Sequence, residues 1–145
     1  MNNTYELFSN SVSCLCRDIR KLEQIEMEKY GLKGPHAQCI LSLSLYPDGL
    51  TATQLCELCG KDKADVSRAV GKMEEIGLLQ RVGSNPYRAK LKLTQQGIAA
   101  AEAVRETAGT IVDRVGGDLT EEKRTVFYEV LALVTANLEK LCKEI

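Results

Sequence analysis

Residues 51–94 read TATQLCELCGKDKADVSRAVGKMEEIGLLQRVGSNPYRAKLKLT, and the order of local signals within them decides the fold. Thr51 with Gln54 three residues on is a capping box, in which two helix-terminal N–H groups are satisfied reciprocally. Leu55 and Leu58 are predicted to face inward. Cys59-Gly60 stops this first helix, Gly60 taking the left-handed turn. Asp62 is expected to cap a second helix over Asp62 to Ile76, with Asp65 adding favourable charge to its first turn. Val66, Ala69, Val70, Met73 and Ile76 form one apolar stripe at helical spacing. The opposite side carries Ala64, Arg68 and Gly71, flanked by Lys61, Ser67 and Lys72, so its exposed centre is small, hydroxylated or basic. After Gly77, Leu78–Val82 and Ala89–Leu93 are predicted as strands, the second with period-2 alternation, and residues 83–87 as the tip between them. Helix, tight turn, second helix and basic hairpin is the order of a winged helix-turn-helix.

Working outward, Phe8, Val12, Leu15, Ile19 and Leu22 recur at helical spacing and predict one long amphipathic helix from Thr4 to about Tyr30. Gly31 and Gly34 are expected to end it. Pro35 suits the first turn of a further helix reaching Tyr46, followed by a turn at Pro47-Asp48-Gly49. On the other side, Thr94 is expected to cap a helix running to about Val115. Gly116-Gly117 breaks the chain, and Thr120 starts a last helix with Val126, Val130, Leu133, Val134, Asn137, Leu138 and Leu141 along one side. The expected fold class is mainly α with a small β-wing.

The totals agree with this. The chain has 145 residues, 44% of them hydrophobic but only 5% aromatic and none tryptophan. That length suits one domain, with a core of Leu, Ile, Val and Ala. The start MNNTYELF lacks the basic-then-apolar pattern of a secretory signal. No apolar run approaches the roughly 20 residues that cross a bilayer. The expectation is a soluble cytoplasmic protein with no membrane partner, its six cysteines kept as reduced thiols. The formal net charge of −1 conceals an asymmetry. From Lys61 to Lys92 eight basic residues face four acids, a local net of +4 against −5 for the remainder. A basic lobe on an acidic body is what local phosphate contact needs.

Helices before and after such a lobe, with DVSRAVGKMEEIGLLQR leading into a hairpin closed by Leu-x-Leu-Thr-x-x-Gly, resemble the MarR family of bacterial transcription regulators. The resemblance covers nearly the whole chain. It implies that residues 1–34 and 95–145 supply interlocking helices of a homodimer and that residues 35–94 are the DNA-binding lobe. It further implies a small-molecule effector bound between the two. Carried over by residue, Lys61, Lys63, Ala64, Ser67, Arg68 and Lys72 are the candidates for contacts to double-stranded DNA. Arg68 is the candidate base reader, because a guanidinium grips guanine with two hydrogen bonds. Ser67 and the lysines are assigned to phosphates. Arg88 and Lys90 belong to the wing. The family's wing usually carries an Asp with Arg residues just after it, whereas this chain has Asn85, Pro86, Tyr87 and Arg88 in a slightly shorter loop.

Outside the lobe, Cys14 and Cys16 lie near the zone where some thiol-based peroxide sensors of the family keep a reactive cysteine. Arg17 and Arg20, within a turn, could stabilise a thiolate there. A redox-sensing regulator of the same fold is therefore the alternative reading. His36 lies where the family's effector crevice begins. Cys56 and Cys59 form a C-x-x-C on a helix without the βαβ surround of a thioredoxin-like redox enzyme. Structural zinc would need four ligands, for which Cys39 and His36 are the only additions nearby in sequence, and no metal or cofactor is expected. No Ser/His/Asp set, Gly-rich phosphate loop or paired catalytic carboxylates occur, so the chain is not expected to be an enzyme. A winged helix used only for protein–protein contact is the remaining rival.

Overall fold

The computed structural model describes residues 3–85 and 88–145, Pro35 by its backbone alone. Two compact units divide the chain, Met1–Ala108 and Gly109–Ile145. In order, the elements are α1 (Thr4–Met27), α2 (Ala37–Ser44), α3 (Ala52–Cys59), α4 (Lys63–Glu75), β1 (Leu79–Val82), β2 (Lys90–Leu93), α5 (Gln95–Val115) and α6 (Glu121–Glu144). Two 3-10 turns, Glu28–Tyr30 and Gly34–His36, lie between α1 and α2. Among the described residues no helix is long and apolar enough to cross a membrane.

The helix boundaries follow the local chemistry closely, with two differences. The first helix stops at Met27 and tightens into a 3-10 turn, because Gly31 at φ 67° sends its N–H back to Glu28 and Leu32 sends its own to Met27. Gly34 does not terminate α1 but packs on it. A Cβ there would lie 2.8 Å from the Arg20 carbonyl oxygen, and the Gly34 N–H donates to the Gln24 side chain. The second helix stops at Ser44 instead of Tyr46, since the residue preceding Pro47 is pushed out of the helical region. The capping box at Thr51 and Gln54 is present in both directions, and Asp62 accepts from Asp65 N–H at 2.8 Å to start α4.

The core of the first unit gathers one face from each element. Ile40 and Leu43 of α2, Leu55 of α3, and Val66, Val70 and Met73 of α4 meet Leu79 and Leu91 of the sheet and Met27 at the end of α1. Ala100, Ala101 and Val104 of α5 complete it. Leu58, expected to point inward, is instead 50% exposed. Cys59, four residues after Leu55, takes the inner side of α3 and packs against the core. Along α1 only Glu23, Glu26 and Met27 are buried. The apolar stripe Phe8, Val12, Leu15 and Ile19 is 41–53% exposed.

β1 and β2 are antiparallel, pairing Leu79 with Leu93 and Val82 with Lys90. Leu50 adds a two-way backbone bridge to Leu91, with N···O distances of 3.0 and 2.7 Å. This bridge ties the start of α3 to the wing. Thr94 closes the hairpin on the other side: its hydroxyl donates to the Gly77 carbonyl at 2.6 Å and accepts from the Gly97 N–H at 3.1 Å. Its own N–H donates to Leu78 at 3.0 Å.

In the second unit, Thr120 caps α6 by accepting from Lys123 N–H at 3.2 Å. Arg124 donates to the Gly116 carbonyl at 2.9 Å, holding the break that precedes α6. No residue of α6 is buried within the single chain, although Val126, Val130, Leu133, Leu138 and Leu141 are large and apolar.

Candidate nucleic-acid interface

The helix α4 is held from behind by Val66, Ala69, Val70 and Met73, all buried, which turns its other side outward. Lys63, Ala64, Ser67, Arg68, Gly71 and Lys72 are exposed there, with Lys61 half-buried in the preceding turn. A Cβ on Gly71 would meet nothing within 4 Å, so the middle of this face is open and unobstructed. The positive end of the helix and the adjacent lysines favour anions. Arg68 already has a partner: its guanidinium pairs with Asp65, one turn earlier and also on the surface. Such an exposed pair is weak and screened by salt, so phosphate or a base edge can replace it. Lys72 runs beside the Gly31 turn, its Cε 3.9 Å from where a Cβ of residue 31 would be.

The wing is fastened to the same helix. Arg81 of β1 donates from Nε to Glu74 of α4 at 2.9 Å, so this basic residue braces the hairpin against the helix it flanks. No local sequence signal pairs these two, seven residues apart and in different elements. Arg88 and Lys90 are exposed at the far end of the hairpin, and Arg88 N–H donates to the Asn85 carbonyl at 3.1 Å. Pro86 and Tyr87, the rest of the expected tip, lie outside the described residues.

Of the residues proposed for effector or redox sensing, Arg17 lies within reach of Cys14 and lines one hollow with Cys16, whereas His36 lies apart from them. Cys14 and Cys16 are both exposed on α1. Arg17 is hydrogen-bonded to Asp18 at 3.1 Å and so holds that carboxyl below its ordinary range. An open hollow of about 600 Å³ runs along α1, lined by Ser13, Cys16, Arg17, Arg20, Lys21 and Gln24. His36 is not part of it. His36 accepts at Nδ1 from the Lys33 N–H at 3.4 Å, and burial together with Lys61 and Lys33 lowers its pKa, favouring the neutral ring. Among the described residues no three His, Cys, Asp or Glu side chains form a metal-holding group.

Glu23, missed by the sequence reading, lies at the junction of α1 with the lobe. The residue is 6% exposed, and its carboxylate accepts from Gln38 of α2 at 3.0 Å. Burial raises its pKa above 4.5, an effect only partly offset by the Gln38 bond and by Arg20 and Lys61. A raised folded-state pKa means that the protonated form favours folding. Its contribution is complete below the unfolded value and lost as pH rises through the folded one. Glu23→Gln, which keeps the acceptor oxygen, is therefore expected to raise Tm at pH 7. Calorimetry from pH 7 down to pH 4 should show that advantage shrinking as the parent's carboxyl is protonated.

Comparison with known proteins agrees with this geometry. Residues 30–86 match the sequence model of the MarR family. No curated protein sequence matches the chain. Among solved structures, a MarR transcriptional regulator from Methanosarcina mazei is similar with a TM-score of 0.83 and 19% identity, over 94% of this chain and 92% of that one. A MarR-family transcriptional regulator from Silicibacter pomeroyi gives a TM-score of 0.73 and 21% identity, over 87% and 86%. MepR, a transcription regulator of the Staphylococcus aureus multidrug efflux pump MepA, gives 0.69 and 18%, over 90% and 98%. The winged lobe over residues 30–86 thus carries the MarR family's sequence pattern, and the fold of the chain as a whole is similar to that of solved MarR-family structures.

Proposed function

We propose that the protein is a cytoplasmic, sequence-specific DNA-binding regulator that works as a homodimer and represses from a pseudo-palindromic operator. The observation that carries this reading is the exposed face of α4, small at Ala64 and Gly71 and basic at Lys63, Arg68 and Lys72, backed by a fully packed stripe. A merely solvated helix has no need of a small, open centre, whereas a helix entering a groove does. The apolar surfaces left exposed on α1 and α6 support dimerisation through the terminal helices. Two α4 helices related by a two-fold axis then read half-sites about 10 bp apart. An effector releases the operator by binding one spacing of those helices more tightly than the other.

Selection of bound duplexes from a random DNA pool tests this reading. The expected product is an enriched inverted repeat whose affinity falls steeply with salt. Absence of enrichment, with salt-insensitive binding, would leave only a protein-interaction role. Against the selected duplex, Arg68→Ala is expected to cost about 1–3 kcal/mol and to loosen base preference. Lys72→Ala should weaken all sequences alike and reduce the salt slope by about one. Mobility shifts at several salt concentrations measure both, and parental behaviour of both variants would sink the assignment.

A further inference from the structure

The lobe contains a thiol pair that DNA contact does not use. Cys39 of α2 is fully buried, and Cys59, the last residue of α3, is half-buried. Their sulfurs lie 3.6 Å apart although 20 residues separate them. From this juxtaposition we infer that Cys39 and Cys59 are a dithiol modification site, oxidised by hydroperoxides to a reversible intrachain disulfide. This goes beyond the DNA-binding reading and does not depend on it.

The two thiols are unequal in the way the chemistry requires. The Cys59 sulfur also lies 3.9 Å from Ser42 Oγ. Hydrogen bonding from Cys39 is the largest cause, with Ser42 and the nearby Lys61 adding to it, and together they lower the Cys59 pKa to about 7. The same hydrogen bond, with burial, raises that of Cys39. Cys59 is thus the nucleophile and Cys39 the resolving thiol. Cys59 releases its proton to solvent, the thiolate attacks one peroxide oxygen, the O–O bond breaks, and the departing alkoxide takes up a proton from solvent to leave as an alcohol. The resulting Cys59 sulfenic acid is attacked by the Cys39 sulfur. The S–S bond forms, the S–O bond breaks, and hydroxide leaves with the Cys39 proton as water. The two sulfurs lose two electrons in all, which the peroxide accepts.

Bond formation requires closing the gap from 3.6 Å to about 2 Å. The fold has slack where that movement must occur. Cys59 is followed by Gly60 at φ 61°, around which a Cβ would meet nothing within 4 Å. Closing the bond draws the end of α3 onto α2, immediately before the turn that launches α4.

The test uses the full chain with Cys14, Cys16, Cys56 and Cys142 replaced by Ser, so that only the pair remains. One equivalent of cumene hydroperoxide at pH 7 should remove both thiols about tenfold faster than it consumes free N-acetylcysteine. Non-reducing peptide mapping should link the Cys39 and Cys59 peptides within one chain, and dithiothreitol should restore both thiols. In the otherwise unaltered chain, Cys39→Ala should accumulate a dimedone-trappable sulfenic acid at Cys59, and Cys59→Ser should leave position 39 unoxidised. Thiols that persist at the rate of free cysteine, a bond joining two chains, or Cys39 oxidised equally in Cys59→Ser would each overturn the assignment. Every readout is covalent, so failure to bind DNA would not be confused with failure of the pair.

Discussion

Gly97→Ala is expected to destabilise the first unit by about 3 kcal/mol, at the upper end of overpacking costs. Gly97 is the last position of Leu-Thr-x-x-Gly and lies in the first turn of α5, against the residue that opens the wing. A Cβ there would fall inside the van der Waals surface of the Leu78 carbonyl oxygen and 3.0 Å from a Leu93 methyl. Neither obstacle can yield cheaply. The Leu78 carbonyl accepts from Thr94 N–H at 3.0 Å, and the Leu78 side chain is 2% exposed. The strain therefore spreads into the Thr94 bonds to Gly77 and Gly97, which join the end of α4, the base of the wing and the start of α5. Urea unfolding at constant m-value should show the loss, and Tm should fall by about 15 °C. A variant as stable as the parent would mean that α5 does not approach the wing this closely.

The second large effect concerns self-association, and it rests on the proposed homodimer. Leu133→Glu, in the middle of α6, is expected to weaken dimerisation by about 3 kcal/mol, a factor of about 100 in dissociation constant. Within one chain Val126, Val130, Leu133, Leu138 and Leu141 are 50–61% exposed, so a charge at position 133 costs the isolated protomer little. Buried against a second copy, the same carboxylate would lose its hydration without gaining a partner. Sedimentation velocity across a concentration series should move the variant from dimer to monomer, and duplex binding should lose its two-site character. Circular dichroism should show the helices of the first unit unchanged. A variant that sediments as the parent does would remove α6 from the interface.

Much of the lobe was legible because its signals are local. The Thr51–Gln54 box, the Asp62 cap and the left-handed Gly60 each act within one helical turn, and their partners are three or four residues away. Periodicity then placed Val66, Ala69, Val70 and Met73 on the buried side of α4. The same reasoning failed at Leu58, where helical spacing left two neighbouring positions to choose from and packing gave the inner one to Cys59. It also could not see which basic residues of the lobe already hold partners. Arg68 bears an ion pair with Asp65, and Arg81 is committed to Glu74.

By itself, then, the sequence determined the order helix, turn, helix, wing, and the basic, open character of the face that α4 turns outward. Capping, turn chemistry and side-chain period are properties of a few consecutive residues and need no distant partner. Only the tertiary structure decided what meets across long separations: Leu50 bridging Leu91, Glu23 buried against Gln38, and Gly97 pressed under Leu78. It alone brought Cys39 within 3.6 Å of Cys59 and left the stripes of α1 and α6 uncovered in the single chain. An apolar stripe states that a surface must be covered. Which surface covers it is set by the packing of whole elements, and no short window of residues contains that information.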